Sequence, residues 1–118
     1  MLTDRERRRL ERERDALVAE LRGLGNLMRG TVVEVGVKCG QPGCACAQGA
    51  KHRKVHLSVN LGGRTRGCYL GREREAVVAP LIAEYQRAWG LINALTAVNL
   101  ALLRGTHPGG RPGRRATR

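Results

Sequence analysis

The sequence predicts an α+β fold. Leucines recur at helical spacing near the start of the chain, residues alternate with a period of two through its middle, and a second, longer helical stripe follows. The expected order is an N-terminal helix, a three-stranded antiparallel sheet with a zinc-knuckle loop between strands 1 and 2, a long C-terminal helix and a disordered basic tail. Residues 1–104 are expected to form a single small domain, with a helix over about 3–24, the sheet over about 31–70 and a helix over about 72–103; 105–118 form the tail.

Thr3 with Glu6 three residues later has the form of a capping box, and Leu10, Leu17, Leu21 and Leu24 follow at helical spacing. Gly23 and Gly25 mark the end. Six arginines crowd the first turns, but Glu6, Glu11, Glu13 and Asp15 are interleaved with them. A solvated face with local ion pairs is the better reading than a helix that contacts nucleic acid.

From Thr31 the period changes to two. Val33, Val35 and Val37 alternate with Glu34, Gly36 and Lys38, and Val55, Leu57, Val59 and Leu61 alternate with Lys54, His56, Ser58 and Asn60. Gly62-Gly63 signals a hairpin into a third strand, about Arg64 to Leu70. A two-residue turn places Cys68 opposite Leu57 on the apolar face, together with Arg64 and Arg66. A three-residue loop exchanges the faces and turns Tyr69 inward, so the register stays open at this stage. In either case Cys68 reads as a half-buried structural residue rather than a ligand.

The last element carries Val78, Leu81, Ile82, Tyr85, Trp89, Ile92, Leu95, Asn99 and Leu102 on a helical stripe. Pro80 either kinks this helix or starts a second one after a short first segment. Beyond Trp89 the helix is apolar almost all round, which predicts that a second copy or another protein covers part of it. The run is too short and too interrupted by Asn93, Thr96 and Asn99 to predict a membrane span. Gly105 closes the helix, and the Arg/Gly/Pro tail has no apolar residues to bury.

The chemistry is concentrated in Cys39-Gly40-Gln41-Pro42-Gly43-Cys44-Ala45-Cys46, with His52 six residues on. A Gly/Pro loop lets three thiolates converge, and tetrahedral zinc accepts three Cys and one His as a closed structural site. Cys39, Cys44, Cys46 and His52 are therefore the expected ligands of a structural Zn²⁺. His56 and Cys68 are the alternatives for the fourth position. Unligated thiols and an iron–sulfur cluster are the rival readings; for the cluster, the second cysteine spacing is one residue shorter than in plant-type ferredoxins. A chain of 118 residues buries a modest share of its surface, so a metal staple also has a stabilising role to play.

Met28-Arg29-Gly30-Thr31, the cysteine box, His52, Leu57-Ser58 and Gly62-Gly63-Arg64-Thr65-Arg66 resemble a family of small bacterial and archaeal proteins catalogued only as a domain of unknown function. The resemblance runs from the first helix to Leu103. It implies a helix, small sheet and helix arrangement, and no established activity. Family members continue the His with Gly-Pro and several Tyr, whereas here Arg53-Lys54-Val55-His56 follows, so the aromatics that would stack on bases are absent there.

Lys and Arg number 22 against 10 acidic residues, a net charge of +12, which points to a polyanionic partner. The expected partner is nucleic acid, met through its backbone by Lys38, Lys51, Arg53, Lys54, Arg64 and Arg66, with Arg111, Arg114, Arg115 and Arg118 of the tail adding phosphate contacts. There is no phosphate-binding loop, carboxylate pair near a His or nucleophile elbow, so no enzymatic activity is expected. The N-terminus lacks an apolar signal-type core, and cytoplasmic localisation is expected, where grouped cysteines are kept reduced. The alternative function is an interaction or oligomerisation module that uses the apolar C-terminal helix, with zinc purely structural.

Overall fold

In the computed structural model, which describes residues 1–49 and 51–106, helix α1 (Asp4–Arg22) precedes strands β1 (Thr31–Val37), β2 (His52–Leu61) and β3 (Arg64–Leu70). Helix α2 (Arg72–Gly105) follows them. The tail arginines Arg111, Arg114, Arg115 and Arg118 lie outside the described residues. The chain divides into two compact units: Gly25–Gln86, which holds the sheet and the first part of α2, and Met1–Leu24 with the chain from Arg87 onward.

In the sheet unit, β2 is central and antiparallel to both neighbours. Gly62 and Gly63, at φ of 60° and 82°, form a two-residue turn between Leu61 and Arg64, a backbone shape that glycine adopts at little cost. This settles the hairpin register with Leu57 opposite Cys68 and Val55 opposite Leu70. Val55, Leu57 and Leu70 are buried against Val78 of α2, and Met28, Val59 and Ile82 complete that core. Cys68, expected to be half-buried, is exposed. Although it shares a face with Leu57, it sits on an edge strand, where a side chain has a neighbouring strand on one side only.

The loop between β1 and β2 closes on the pair Val37–His52, and that register fixes which face each residue takes. Val33 and Val35 consequently lie opposite His56 and Lys54, away from the core, and remain 41% and 42% exposed. Glu34 and Val32 take the core side of β1 instead.

In the helical unit the capping box is complete. The Glu6 amide donates to the Thr3 hydroxyl at 3.1 Å, and the Thr3 amide donates to the Glu6 carboxylate at 3.0 Å. The Thr3 amide, and after it the Thr3 hydroxyl, hold the Glu6 carboxyl below its usual range. Arg8 and Arg14 bond within α1, to the Asp4 carbonyl and the Asp15 carboxylate, in keeping with a solvated charged face. Arg7 reaches the Gly105 carbonyl at 3.3 Å, and Leu2 fills the space where Gly105 would carry a Cβ, so the start of α1 meets the end of α2.

One helix passes through Pro80, resolving the choice between a kinked helix and two separate ones in favour of a single element. Pro80 and Ala76, whose carbonyl loses its partner, are both exposed, so water can serve that carbonyl. The inner stripe of the second half differs from expectation. Ala88 and Val98 are buried and Leu91, Leu95 and Leu102 half-buried, whereas Trp89 and Ile92 are 54% and 44% exposed and Asn99 is also exposed. The inward positions step by three and four residues, the spacing of a two-helix seam, which drifts from a straight 3.6-residue stripe. Among the described residues, no helix is long and apolar enough to cross a membrane.

Candidate metal centre

The candidate centre forms where β1 ends and β2 begins. Pairing of Val37 with His52 draws the two strand ends together, and Cys39 lies two residues beyond Val37. Gly40 and Gly43, both at φ of 80°, let the intervening chain reverse, and the Cys44 amide donates to the Gln41 carbonyl at 3.3 Å. A single 3₁₀ turn, Ala45–Ala47, then carries Cys46 inward, where it is 3% exposed.

The result is a Cys3His group. One ligand atom from each of Cys39, Cys44, Cys46 and His52 lies within 4.8 Å of all the others. Cys44 Sγ and His52 Nε2 are 3.2 Å apart, and the Cys46 and Cys39 sulfurs are 3.5 Å apart. A tetrahedral ion with metal–sulfur bonds of about 2.3 Å spaces its sulfurs at roughly 3.8 Å. The four donors therefore sit at the right separation to hold one metal ion. The four cysteines of the chain are all free.

The site favours the thiolate at two of its three cysteines, Cys44 and Cys39. The Cys44 thiol is lowered to about 6 by the Cys46 amide, then by His52 and the neighbouring thiols. Cys39 is lowered too, chiefly by the Gln41 backbone. Cys46 goes up: the Cys39 amide, donating at 3.2 Å, favours its thiolate, but burial and the adjacent Cys44 and Cys39 sulfurs outweigh that bond. His52 is raised by Cys44 and Cys39. A cation at the centre would relieve this crowding of sulfur charge.

The alternative fourth ligands are placed elsewhere. His56 lies four residues along β2, roughly 13 Å from His52 at strand rise, and pairs with Val33 and Tyr69. Cys68 is on β3, near Arg74, which approaches its sulfur at 3.7 Å.

Residues 5–79 match the family described as a domain of unknown function (DUF6788). The chain belongs to that family. No curated protein and no solved structure matches it. The DUF6788 match covers α1, the cysteine loop, the sheet and the start of α2, and stops one residue before Pro80, short of the reach to Leu103 that the sequence resemblance implies.

The basic residues singled out from the sequence are distributed unevenly. Lys38, Lys51, Lys54, Arg64 and Arg66 are exposed. Arg53 is engaged: its Nε meets Glu34 at 2.7 Å and its Nη2 meets Glu75 at 3.0 Å, and these carboxylates, Glu75 first, raise its pKa. A cluster that sequence reasoning passed over lies on the outer sheet face. Tyr69 is 53% exposed there, with His56 edge-on at 5.8 Å between ring centroids and the Lys54 ammonium 6.0 Å from the Tyr69 ring. The signal was present in the Gly62-Gly63 turn, since a two-residue loop places Tyr69 opposite His56.

Proposed function

We propose that this DUF6788 protein is a zinc-stapled, basic accessory protein that binds nucleic acid and catalyses no reaction. The observation that carries the zinc reading is the convergence of four soft donors within 4.8 Å of one another. Three thiolates and one imidazole at tetrahedral spacing suit zinc, whereas an iron–sulfur cluster calls for a fourth Cys or a second His. With four protein ligands the ion has no open position for water or substrate, which is why the centre reads as structural.

Charge supports the nucleic-acid reading. The chain carries +12, and Lys38, Lys51, Lys54, Arg64 and Arg66 present exposed cations on the metal loop and sheet. Arg53 enters this reading with its charge already compensated by Glu34 and Glu75. The tail arginines add sequence-independent phosphate contacts. A protein of this kind works in the cytoplasm, where thiolates stay reduced.

An electrophoretic shift titrated against salt tests the reading. Binding with a steep log–log salt slope is expected; no shift at low salt contradicts it. A second reading rests on Trp89, Ile92, Leu100 and Leu103, exposed at 54%, 44%, 44% and 68% along the second half of α2: a partner protein or second copy docks there. Sedimentation as a clean monomer at micromolar concentration would remove the second-copy form of it.

A further inference from the structure

We propose that the outer face of the sheet is a single-strand site at which Tyr69 stacks one unpaired base, an inference that rests on the nucleic-acid reading and gives it an address. The face consists of Thr31, Val33, Val35 and Val37 of β1, the even-numbered residues His52 to Asn60 of β2, and Thr65, Gly67 and Tyr69 of β3. It has no carboxylate, because the strand register turns Glu34 to the other side. Its cation is Lys54. An exposed sheet face that mixes valines and a tyrosine with polar residues, and carries positive but no negative charge, fits a polyanion with flat rings better than it fits an acidic or purely apolar protein surface.

Tyr69 is the centre of the site. Its ring is 53% exposed, with the His56 ring 5.8 Å away at 68° to it in a T-shaped pair. Gly67, the preceding residue on this face, has no side chain, and a Cβ there would meet nothing nearer than the Leu57 carbonyl at 3.9 Å. There is thus open space beside the ring for a second ring to slide in. The Lys54 ammonium, 6.0 Å from the Tyr69 centroid, makes only a weak cation–π contact and can turn to a phosphate when a base takes its place. A recess of about 510 Å³ continues from Tyr69 past Gly71 to Arg72, Glu73 and Arg74. Arg72 supplies a second cation for the backbone there. Arg74 already donates to the Tyr69 carbonyl at 3.1 Å and holds the strand in place, and Glu73 is the one carboxylate at the rim.

The geometry selects single strands. A duplex keeps its bases stacked inside, and a ring on a flat sheet reaches a base only if the helix is opened, at a cost of a few kcal/mol per step. Base–aromatic stacking is tolerant of sequence, so the site discriminates strandedness and not sequence.

The test is fluorescence anisotropy with labelled oligo-dT and oligo-U strands and a duplex of equal length, on the full chain with its metal. Tyr69→Ala is expected to weaken single-strand binding roughly tenfold and leave the salt slope unchanged, because one stacked base contributes about 1–3 kcal/mol. Tyr69→Phe and Tyr69→Trp should bind as the unmodified protein does. Lys54→Ala should instead lower the salt slope by roughly one phosphate contact. Duplex affinity should not respond to Tyr69→Ala. As a measurement independent of variant folding, photo-crosslinking to a thiouridine-bearing strand should map to Tyr69. If the strands bind with normal salt dependence but Tyr69→Ala is without effect, or crosslinks avoid Tyr69, the stacking site is wrong and the nucleic-acid reading stands. If the unmodified protein binds no strand at low salt, both fall.

Discussion

The two halves of α2 carry similar apolar residues to different ends. From Arg72 to Gln86 the helix lies with a sheet, and Val78 and Ile82 join Val55, Leu57 and Leu70 in a core whose members all come from one compact unit. From Arg87 to Gly105 it shares its unit, among the described residues, with α1 and the short segments flanking the two helices, and α1 has no buried residue. The first half has a partner wide enough to bury a face. The second buries a narrow seam, Ala88 and Val98 with half-buried leucines, and leaves Trp89, Ile92, Leu100 and Leu103 in water. Burial is set by the breadth of the opposing surface, not by the hydrophobicity of the helix itself.

That contrast is sharpest if the proposed zinc staple of the sheet unit is removed. Removing the metal with a chelator, or replacing Cys44 with Ser, should disorder the loop from Cys39 to His52, whose order draws on little apolar content. Metal affinity should fall by well over about tenfold, since loss of even an outer partner of a ligand costs roughly 10–100-fold. The helical unit should keep its helical circular dichroism signal. His52→Ala should cost far more metal than His56→Ala; equal losses would move the fourth ligand.

Core truncation gives the next largest effect. Leu57→Ala, at 6% exposure in the sheet core, should destabilise by about 2–4 kcal/mol in chemical denaturation. Leu103→Ala, at 68% exposure, should stay within about 0.5 kcal/mol. A large loss at Leu103 would mean that the second half of α2 is covered by another chain after all.

Paired replacement of Leu95 and Leu102 by Lys probes the seam. Both are half-buried, so charge there should loosen the helical unit and lower its thermal midpoint by several degrees while the metal content stays at its normal level. Loss of metal in that variant would show that the two halves of α2 are energetically one body. The smallest effect belongs to the capping box: Thr3→Ala removes the bond to the Glu6 amide and should cost about 1 kcal/mol of helix stability.

Much of this architecture was legible in the sequence because its signals are local. Thr3 and Glu6 meet within one turn, Gly62-Gly63 makes its own hairpin, and three cysteines in eight residues have little freedom to point apart. The convergence of Cys39, Cys44, Cys46 and His52 was readable for the same reason, with His52 preferred to His56 by nearness to the loop. What the sequence left open or misplaced depends on distant partners. Cys68 alternates correctly for burial, yet an edge strand exposes it. Trp89 and Ile92 fit a helical stripe, but the inward positions of the second half of α2 follow a shorter period and leave them outside. Val33 and Val35 alternate like core residues, and only the pairing of Val37 with His52 turns them outward. Tyr69 faced outward in one of the two hairpin registers the sequence allowed, and the two-residue Gly62-Gly63 turn is what selects it.

The central claim is that Cys39, Cys44, Cys46 and His52 hold one zinc ion that organises the sheet unit. X-ray absorption at the zinc edge, read with the metal content of the same purified sample, tests it most directly. One zinc per chain with three sulfur neighbours and one nitrogen neighbour is expected. Iron in place of zinc, no stoichiometric metal, or unchanged zinc in Cys44→Ser would contradict it.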